Sequence, residues 1–235
     1  MGGGMTPLAI LRRLLGRAEP TAATRALARI AGRGIDVSTV IDVGASDGRW
    51  SEQAERFWPA ARFHLIEAFD HWRPALEALV ARKAHYSYML AAAGSGDGEV
   101  SFTNSTEDPF GGAASSSPAG ASHWKVPMVS IDGEVKRLEL RPPFLVKLDT
   151  HGFEREIIAG ARKTLGNTNL FINEFYNFQA EERRWPQMVL LIESLGFRCI
   201  DMIEPMWRTH DGAFWQVDFA FIRKDRKEFA FDGFR

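Results

Sequence analysis

The segment Val40–Gly48, Val-Ile-Asp-Val-Gly-Ala-Ser-Asp-Gly, restricts the fold of this chain more than any other feature of its sequence. It begins as a short, largely β-branched run, which is typical of a strand buried on both faces, and it ends in a glycine-rich turn. The residues that follow recur at helical spacing, with Trp50, Ala54 and Trp58 on one side. A strand, a glycine turn and a helix in this order form a cradle for a small ligand in an open α/β sheet.

Two carboxylates flank this cradle and indicate the kind of ligand. Asp42 precedes the turn, and Glu67 ends the apolar run Phe63–Glu67, 25 positions after Asp42. A Rossmann-like second strand places there the carboxylate that hydrogen-bonds a ribose diol. Gly44 and Gly48 are separated by three residues, whereas dinucleotide folds need tighter glycine spacing to hold a pyrophosphate. The spacing therefore favours a ligand with a ribose and no pyrophosphate, such as S-adenosylmethionine.

Composition limits the class of protein. The 235 residues, 45% of them hydrophobic, can bury the core of one α/β domain but are too few for two comfortable ones. Lysine plus arginine number 29 against 30 aspartate plus glutamate, and this near-neutral balance argues against general capture of nucleic acid. The single cysteine, Cys199, excludes an intrachain disulfide and favours a cytoplasmic protein. No apolar run approaches the roughly 20 residues of a membrane span, so no stable membrane insertion is expected.

The order of the segments predicts one domain with two extensions. Residues 1–37 form an N-terminal helical extension, residues 38–223 the domain, and residues 224–235 a charged C-terminal tail. Strands that alternate with helices indicate a parallel-centred sheet covered by helices on both faces. Phe197–Ile200 and Trp215–Ile222 are expected to form an antiparallel pair at the end of that sheet.

Three local predictions complete the outline. Tyr86–Ala92 and Glu99–Asn104 are expected to form a hairpin, Asp132-Gly133 a turn, and Glu154–Leu165 one amphipathic helix. The small side chains of Ala91 and Ala92 leave room for a flat adenine ring, although alanines at a strand end are equally ordinary packing.

Residues 107–124 are rich in glycine, serine, alanine and proline, which predicts a mobile surface loop. We interpret this loop as a substrate-binding lid, with a tolerated insertion as the alternative. Trp124 at its exit is predicted to line the acceptor pocket, although a packed surface aromatic fits the sequence equally well.

Four predicted strands end in acids: Asp42, Glu67, Asp149 and Glu174. The carboxyl ends of parallel strands meet at one edge, where open α/β sheets bind their ligands. Four acids gathered there repel one another unless a cation lies among them. The sulfonium and ammonium groups of S-adenosylmethionine supply such a cation.

The motifs together resemble those of the FkbM family of S-adenosylmethionine-dependent methyltransferases. The resemblance rests on Ile41–Ala45 with Gly48, on Glu67, on the block Val146–Glu154, and on Gly160-Ala161. It covers about residues 38 to 223 and implies a Rossmann-like class I methyltransferase fold that acts on a hydroxyl group of a small-molecule or sugar-like acceptor. Position 151 departs from the pattern, because it is histidine where the family more often has an acidic or amide side chain.

The family pattern also implies the roles of individual residues. The glycine turn and Asp42 would hold the amino-acid end of S-adenosylmethionine, and Glu67 its ribose hydroxyls. The predicted cofactor-binding residues are Asp42, Gly44, Ala45, Asp47, Gly48, Glu67, Ala91 and Ala92.

The remaining polar residues at the strand ends are assigned to the acceptor. An imidazole titrates near neutral pH, so His151 is predicted to be the general base that Asp149 orients, with an idle turn histidine as the alternative. Trp124, Glu174, Tyr176 and Asn177 are predicted to contact the acceptor. Asp149, His151 and Glu174 offer ligands to a divalent ion, but their spacing does not require one, and no metal ligand is assigned.

Two functions of other classes stay open at this stage. One is a non-catalytic subunit that binds S-adenosylmethionine and works through a partner; assembly of the chain into a homo-oligomer is a separate open question. The other is a nicotinamide oxidoreductase, which the missing third glycine disfavours. The sequence does not identify the acceptor.

Overall fold

The structure, a computed structural model, describes residues 21–104, 107, 109–115, 123–178 and 183–235. Residues 1–20 of the predicted N-terminal extension lie outside this set, and so do residues 108 and 116–122 of the predicted loop. Among the described residues, none of the helices combines the length and the hydrophobicity that a membrane span requires.

A central sheet of seven strands organises the domain. Numbered along the chain, the strands are β1 (Thr39–Val43), β2 (Arg62–Glu67), β3 (Tyr86–Leu90), β4 (Ala92–Ala93), β5 (Gly98–Thr103), β6 (Ala113–Ser115), β7 (Trp124–Val129), β8 (Phe144–Leu148), β9 (Thr168–Tyr176), β10 (Phe197–Trp207) and β11 (Phe214–Arg223). The order in the central sheet is β10-β11-β9-β8-β1-β2-β3. The five strands from β9 to β3 run parallel, and β10 and β11 are antiparallel at one end, as predicted.

Helices cover both faces of this sheet. They are α1 (Ala22–Ala31), α2 (Arg49–Glu55), α3 (Arg73–Arg82), α4 (Ile131–Arg137), α5 (Glu154–Ala159), α6 (Arg162–Gly166) and α7 (Trp185–Ser194). Successive strand residues alternate between two cores, so that Val40 packs with α1 and α3 while Ile41 packs with α5 and α7. The predicted fold class is therefore confirmed.

A second sheet, in the order β4-β7-β5-β6, lies beside the first. The predicted hairpin is wrong, because β5 pairs with β6 and β7, and Ala92 and Ala93 pair with Met128 and Val129. The prediction paired the segments of β3 and β5 because they are close along the chain, and it assigned residues 113–115, which form β6, to a loop. This sheet contributes Phe102 and Val126 to the core on the α5–α7 side of the central sheet.

Two other local predictions are wrong for identifiable reasons. Asp132 and Gly133 lie in the first turn of α4, where the Gly133 N–H donates to the capping hydroxyl of Ser130 at 3.1 Å. The single helix expected over Glu154–Leu165 is interrupted between α5 and α6. Gly160, at this interruption, packs so closely on the backbone that an added Cβ would lie 2.0 Å from the Gly94 carbonyl oxygen.

Gly44 makes a similar backbone contact beside β1, and this contact provides a stability prediction. Its φ is 75°, and an added Cβ would lie 1.9 Å from the Asp149 carbonyl oxygen. We expect Gly44→Ala to lower the free energy of unfolding by about 1–2 kcal/mol through the left-handed backbone. The collision adds a further 1–3 kcal/mol or so.

Gly34→Ala is the matched control, since Gly34 has a φ of 67° and no heavy atom within 4 Å of the added Cβ. Urea denaturation of both variants separates backbone strain from the collision. Equal losses in the two variants would contradict the proposed close contact at Gly44.

Candidate functional site

A cavity of about 740 Å³ opens at the carboxyl ends of the central strands, the position expected for a ligand in an open α/β sheet. This volume lies within the range of roughly 300–1,000 Å³ found for small-molecule sites. The predicted site residues that line it are Gly44, Glu67, Ala91, Ala92, Asp149, His151, Glu174 and Tyr176.

The strand order divides the cavity into two halves, with Gly44 at the end of β1 between them. We call Glu67, Ala68 and the residues from Ala91 to Ala93 the alanine half, since they follow β2 and β3. The acid half comprises Asp149, His151, Glu174 and Tyr176, which belong to β9 or follow β8. One cavity therefore has a largely apolar half and a strongly polar half.

Glu67 is fixed at the wall of the alanine half by the backbone. Its Oε2 accepts a hydrogen bond from the Ser46 N–H at 2.8 Å, and its Oε1 accepts one from the Phe69 N–H at 2.7 Å. Burial raises the pKa of this carboxyl, and the N–H groups of Phe69 and Ser46 act against that shift. A carboxylate oxygen accepts more than one hydrogen bond, so Glu67 keeps acceptor capacity toward the cavity.

Asp42 lies on the opposite side of the sheet from the cavity. The pleat of β1 directs Val43 into the cavity wall and Asp42 to the other face, where its side chain is fully buried. Its Oδ2 accepts a hydrogen bond from the Ser51 hydroxyl at 2.7 Å, and its Oδ1 lies 3.6 Å from Lys147 Nζ. The prediction that Asp42 holds the cofactor did not take this alternation into account.

Lys147 links Asp42 to the acid half of the cavity. Its buried ammonium donates a hydrogen bond to Asp149 Oδ2 at 2.7 Å and lies 5.1 Å from the centre of the Trp50 ring. Sequence reasoning assigned it no role, although a lysine within the apolar run of β8 is an informative exception. A charge in a doubly covered parallel strand needs a buried partner.

Three other predicted cofactor residues do not line the cavity. An added Cβ on Gly48 would lie 2.4 Å from the Leu79 side chain, so this glycine allows close packing of α2 on α3. Ala45 is buried in the core on the α1–α3 side, and the Asp47 carboxylate pairs with the Arg49 guanidinium at 2.6 Å.

Two predicted acceptor residues also lie outside the cavity wall. Trp124 packs against the rings of Phe69 and Phe102 and is 39% exposed. The side-chain amide of Asn177 donates to the Phe214 carbonyl at 3.3 Å and so joins β11 to the end of β9.

The acid half brings together side chains from three segments. The Tyr176 hydroxyl donates a hydrogen bond to Glu174 Oε2 at 2.7 Å, and the side-chain amide of Gln216 donates to Glu174 Oε1. His151 Nε2 lies 3.8 Å from Glu174 Oε2, and His151 Nδ1 lies 2.7 Å from the Gly112 carbonyl oxygen. A carbonyl oxygen only accepts, so Nδ1 carries a proton.

The charges of this half are strongly coupled. Burial and the neighbouring Asp149 carboxylate raise the pKa of Glu174 to about 10, and similarly raise the pKa of Asp218 to about 7. Burial also opposes ionisation of Asp149, but the Lys147 ammonium outweighs it and holds the pKa of Asp149 below its ordinary value. The acid half therefore contains an anionic aspartate beside a glutamic acid that retains its proton at neutral pH.

Aromatic side chains form the outer wall, and sequence analysis did not identify them. Gln216 was also missed, because its contact with Glu174 depends on the pairing of β11 with β9. The apolar residues of this wall are Phe102, Phe110, Phe178, Met206 and Trp215.

A family model described as the methyltransferase FkbM domain matches residues 42–199, more than half of the chain. The chain belongs to the FkbM methyltransferase family. Within the FkbM match lie the last two residues of β1, Glu67 and the acid half of the cavity, whereas Trp215 and Gln216 of β11 lie beyond it.

Solved structures support the fold. The methyltransferase FkbM from Methylobacillus flagellatus KT matches with a TM-score of 0.51 and 15% identity, over 78% of this chain and 43% of that chain. The present chain thus spans less than half the length of that FkbM protein. No curated protein matches the chain.

Two further structures are similar over most of their length. A putative RNA methyltransferase from Pyrococcus horikoshii has a TM-score of 0.46 and 13% identity, over 86% of this chain and 84% of that chain. The other is the 1,6-didemethyltoxoflavin-N1-methyltransferase of Burkholderia thailandensis, solved with 1,6-didemethyltoxoflavin and S-adenosylhomocysteine. It has a TM-score of 0.43 and 13% identity, over 96% of this chain and 93% of that chain.

Proposed function

We propose that this chain transfers a methyl group from S-adenosylmethionine to a hydroxyl group of a small-molecule or sugar-like acceptor. The observation that carries the proposal is the division of one cavity into an alanine half with a fixed carboxylate and an acid half with a histidine. Membership of the FkbM family supports methyl transfer. The hydroxyl acceptor is supported by the family resemblance and by the presence of a base that a hydroxyl nucleophile needs.

The alanine half suits the adenosine part of the cofactor. Ala91 and Ala92 leave space beside Ile66 for a flat ring, and Glu67 has acceptor capacity for the two ribose hydroxyls. Glu67 on β2 and Glu174 on β9 are three strand spacings apart, about 14 Å, which leaves room for an extended ligand between the halves. When bound, S-adenosylmethionine supplies a methyl group activated by its sulfonium charge.

His151 is the residue that we expect to accept the proton of the acceptor hydroxyl. Its Nδ1 proton is directed to the Gly112 carbonyl, so the lone pair of Nε2 is free toward the acid half. The Asp149 carboxylate stabilises the imidazolium that forms, and the Tyr176 ring lies edge-on to the imidazole with 5.5 Å between ring centres. The remaining task of the protein is to align the hydroxyl and to exclude water.

Calorimetric titration of S-adenosylmethionine and S-adenosylhomocysteine into the purified protein tests the cofactor. We expect micromolar binding of both, followed by turnover in a screen of hydroxyl acceptors. His151→Ala is expected to abolish most of that turnover while it retains cofactor binding. No heat with either ligand, in a folded protein, would contradict the methyltransferase proposal. Binding without turnover on any acceptor would favour a non-catalytic subunit instead.

A further inference from the structure

We propose that Asp149, His151 and Glu174 form a binding site for one divalent metal ion. Each residue offers one ligand atom, and the three atoms lie within 4.8 Å of one another. In six-coordinate geometry with bonds of about 2.1 Å, neighbouring ligand atoms are about 3 Å apart and opposite ones about 4.2 Å. The three atoms, within 4.8 Å of one another, therefore reach this geometry by moving slightly closer together. A set of two carboxylates and one imidazole suits first-row ions such as Mn²⁺, with water or an acceptor oxygen at the remaining positions.

The state of His151 is the first observation that points to an ion. Its Nδ1–H donates to a backbone carbonyl, that of Gly112, so Nε2 is left with a lone pair. Within the part of the chain that the structure describes, no hydrogen bond to this lone pair is recorded, and its recorded contact with Glu174 Oε2, at 3.8 Å, is too long for one. Histidine ligands in metal sites commonly donate the other ring N–H to a carbonyl or carboxylate in this way.

The two carboxylates, Asp149 and Glu174, are also held in place by hydrogen-bond donors. The Tyr176 hydroxyl and the Gln216 amide both donate to Glu174, and the Lys147 ammonium donates to Asp149 at 2.7 Å. Donors of this kind fix carboxylate oxygens in place and leave further lone pairs available to an ion. All three proposed ligands therefore have an orienting partner of their own.

The carboxyl groups around the proposed site are an independent reason to expect an ion there. Three acids, Asp42, Asp149 and Asp218, lie around the buried ammonium of Lys147, and a fourth, Glu174, adjoins Asp149 and Asp218. Among the described residues, no other lysine or arginine is recorded in an ion pair with these carboxylates. A dipositive ion between Asp149 and Glu174 relieves this crowding of carboxyl groups, because it takes the place of the proton on Glu174.

The ion would change how the acceptor is activated, and this part of the inference rests on the proposed function. With His151 engaged as a ligand, the ion polarises an acceptor hydroxyl bound to it and lowers the pKa of that hydroxyl. The acceptor oxygen then bonds to the methyl carbon as the carbon–sulfur bond breaks, and the hydroxyl proton is released to water.

Direct measurement of ion binding tests the site without any methyl transfer. The full chain is treated with a chelator, and Mn²⁺ is titrated in the absence of S-adenosylmethionine and acceptor while free Mn²⁺ is followed by electron paramagnetic resonance. We expect one saturable Mn²⁺ per chain, weakened at least tenfold in Glu174→Gln and in His151→Ala. Glu193→Gln, which neutralises an exposed acid on α7, is expected to bind as the unmodified protein does.

The outcomes separate this proposal from the proposed function. Absence of saturable Mn²⁺ binding overturns the metal site, and so does binding that neither variant weakens, since the ion would then lie elsewhere. Circular dichroism checks that each variant is folded, and His151→Ala, at the cavity surface, serves if Glu174→Gln does not fold. If the protein shows no ion site and still transfers methyl groups after chelation, the metal proposal fails and the cofactor proposal stands.

Discussion

Replacing Glu67 with alanine is expected to weaken binding of S-adenosylmethionine at least tenfold, which corresponds to about 1.4 kcal/mol. The substitution removes the acceptor that we assign to the ribose hydroxyls. It also releases the N–H groups of Ser46 and Phe69, which Glu67 holds at 2.8 and 2.7 Å. Hydrogen bonds to a charged group contribute about 1.5–3 kcal/mol each, so the loss of these two bonds also makes the turn that contains Ser46 less ordered.

Calorimetry on two further variants identifies the cause. Glu67→Gln keeps the shape of the side chain and one carbonyl acceptor, so its affinity is expected to lie between those of the unmodified protein and Glu67→Ala. Glu77→Ala removes an exposed glutamate from α3 and is expected to leave binding unchanged. Unchanged affinity in folded Glu67→Ala would show that the alanine half does not hold the ribose.

The largest effect on stability is expected at Lys147. Lys147→Met leaves Asp42 fully buried with the Ser51 hydroxyl as its remaining hydrogen-bond partner, and it removes the ammonium from Asp149. Removal of one partner from a buried ion pair typically costs 3–5 kcal/mol or so. We therefore expect urea denaturation to show a loss of about 3 kcal/mol or more in the free energy of unfolding.

A second substitution shows whether the buried charge is responsible. Asp42→Asn combined with Lys147→Met is expected to recover at least half of the loss, because no unpaired charge remains on the α2 side of the sheet. Lys136→Met changes an exposed lysine on α4 and is expected to have little effect. A loss of less than about 1 kcal/mol in Lys147→Met would contradict the assigned role of this ion pair.

The elements predicted correctly were those with a strong local signal. The runs that form β1, β2, β8 and β9 are too apolar for any exposed element. The elements predicted wrongly depend on distant contacts. The break at Gly160 is one such case, because its cause, the backbone of Gly94, lies in another segment of the chain.

The residues of the candidate site also separate into those that the sequence predicts and those that depend on distant contacts. Glu67, Asp149 and Glu174 could be predicted to lie along one edge of the sheet, since the carboxyl ends of parallel strands lie there whatever the conformation of the loops. The residues that contact this set of side chains could not be predicted in this way. Gly112 reaches His151 through the second sheet, and Gln216 reaches Glu174 through the pairing of two strands separated along the chain.

The sequence by itself thus determined the class of an open, mostly parallel α/β sheet with an antiparallel pair at its end, the family, and the acids at the ends of its strands. Only the tertiary structure decided which face each side chain occupies and which loops close over the cavity. Asp42 and Val43 are adjacent in one strand, yet the pleat buries one beneath α2 and places the other in the cavity wall. Such outcomes depend on strand register and on the elements that cover each face, and both are set by contacts between residues far apart in the sequence.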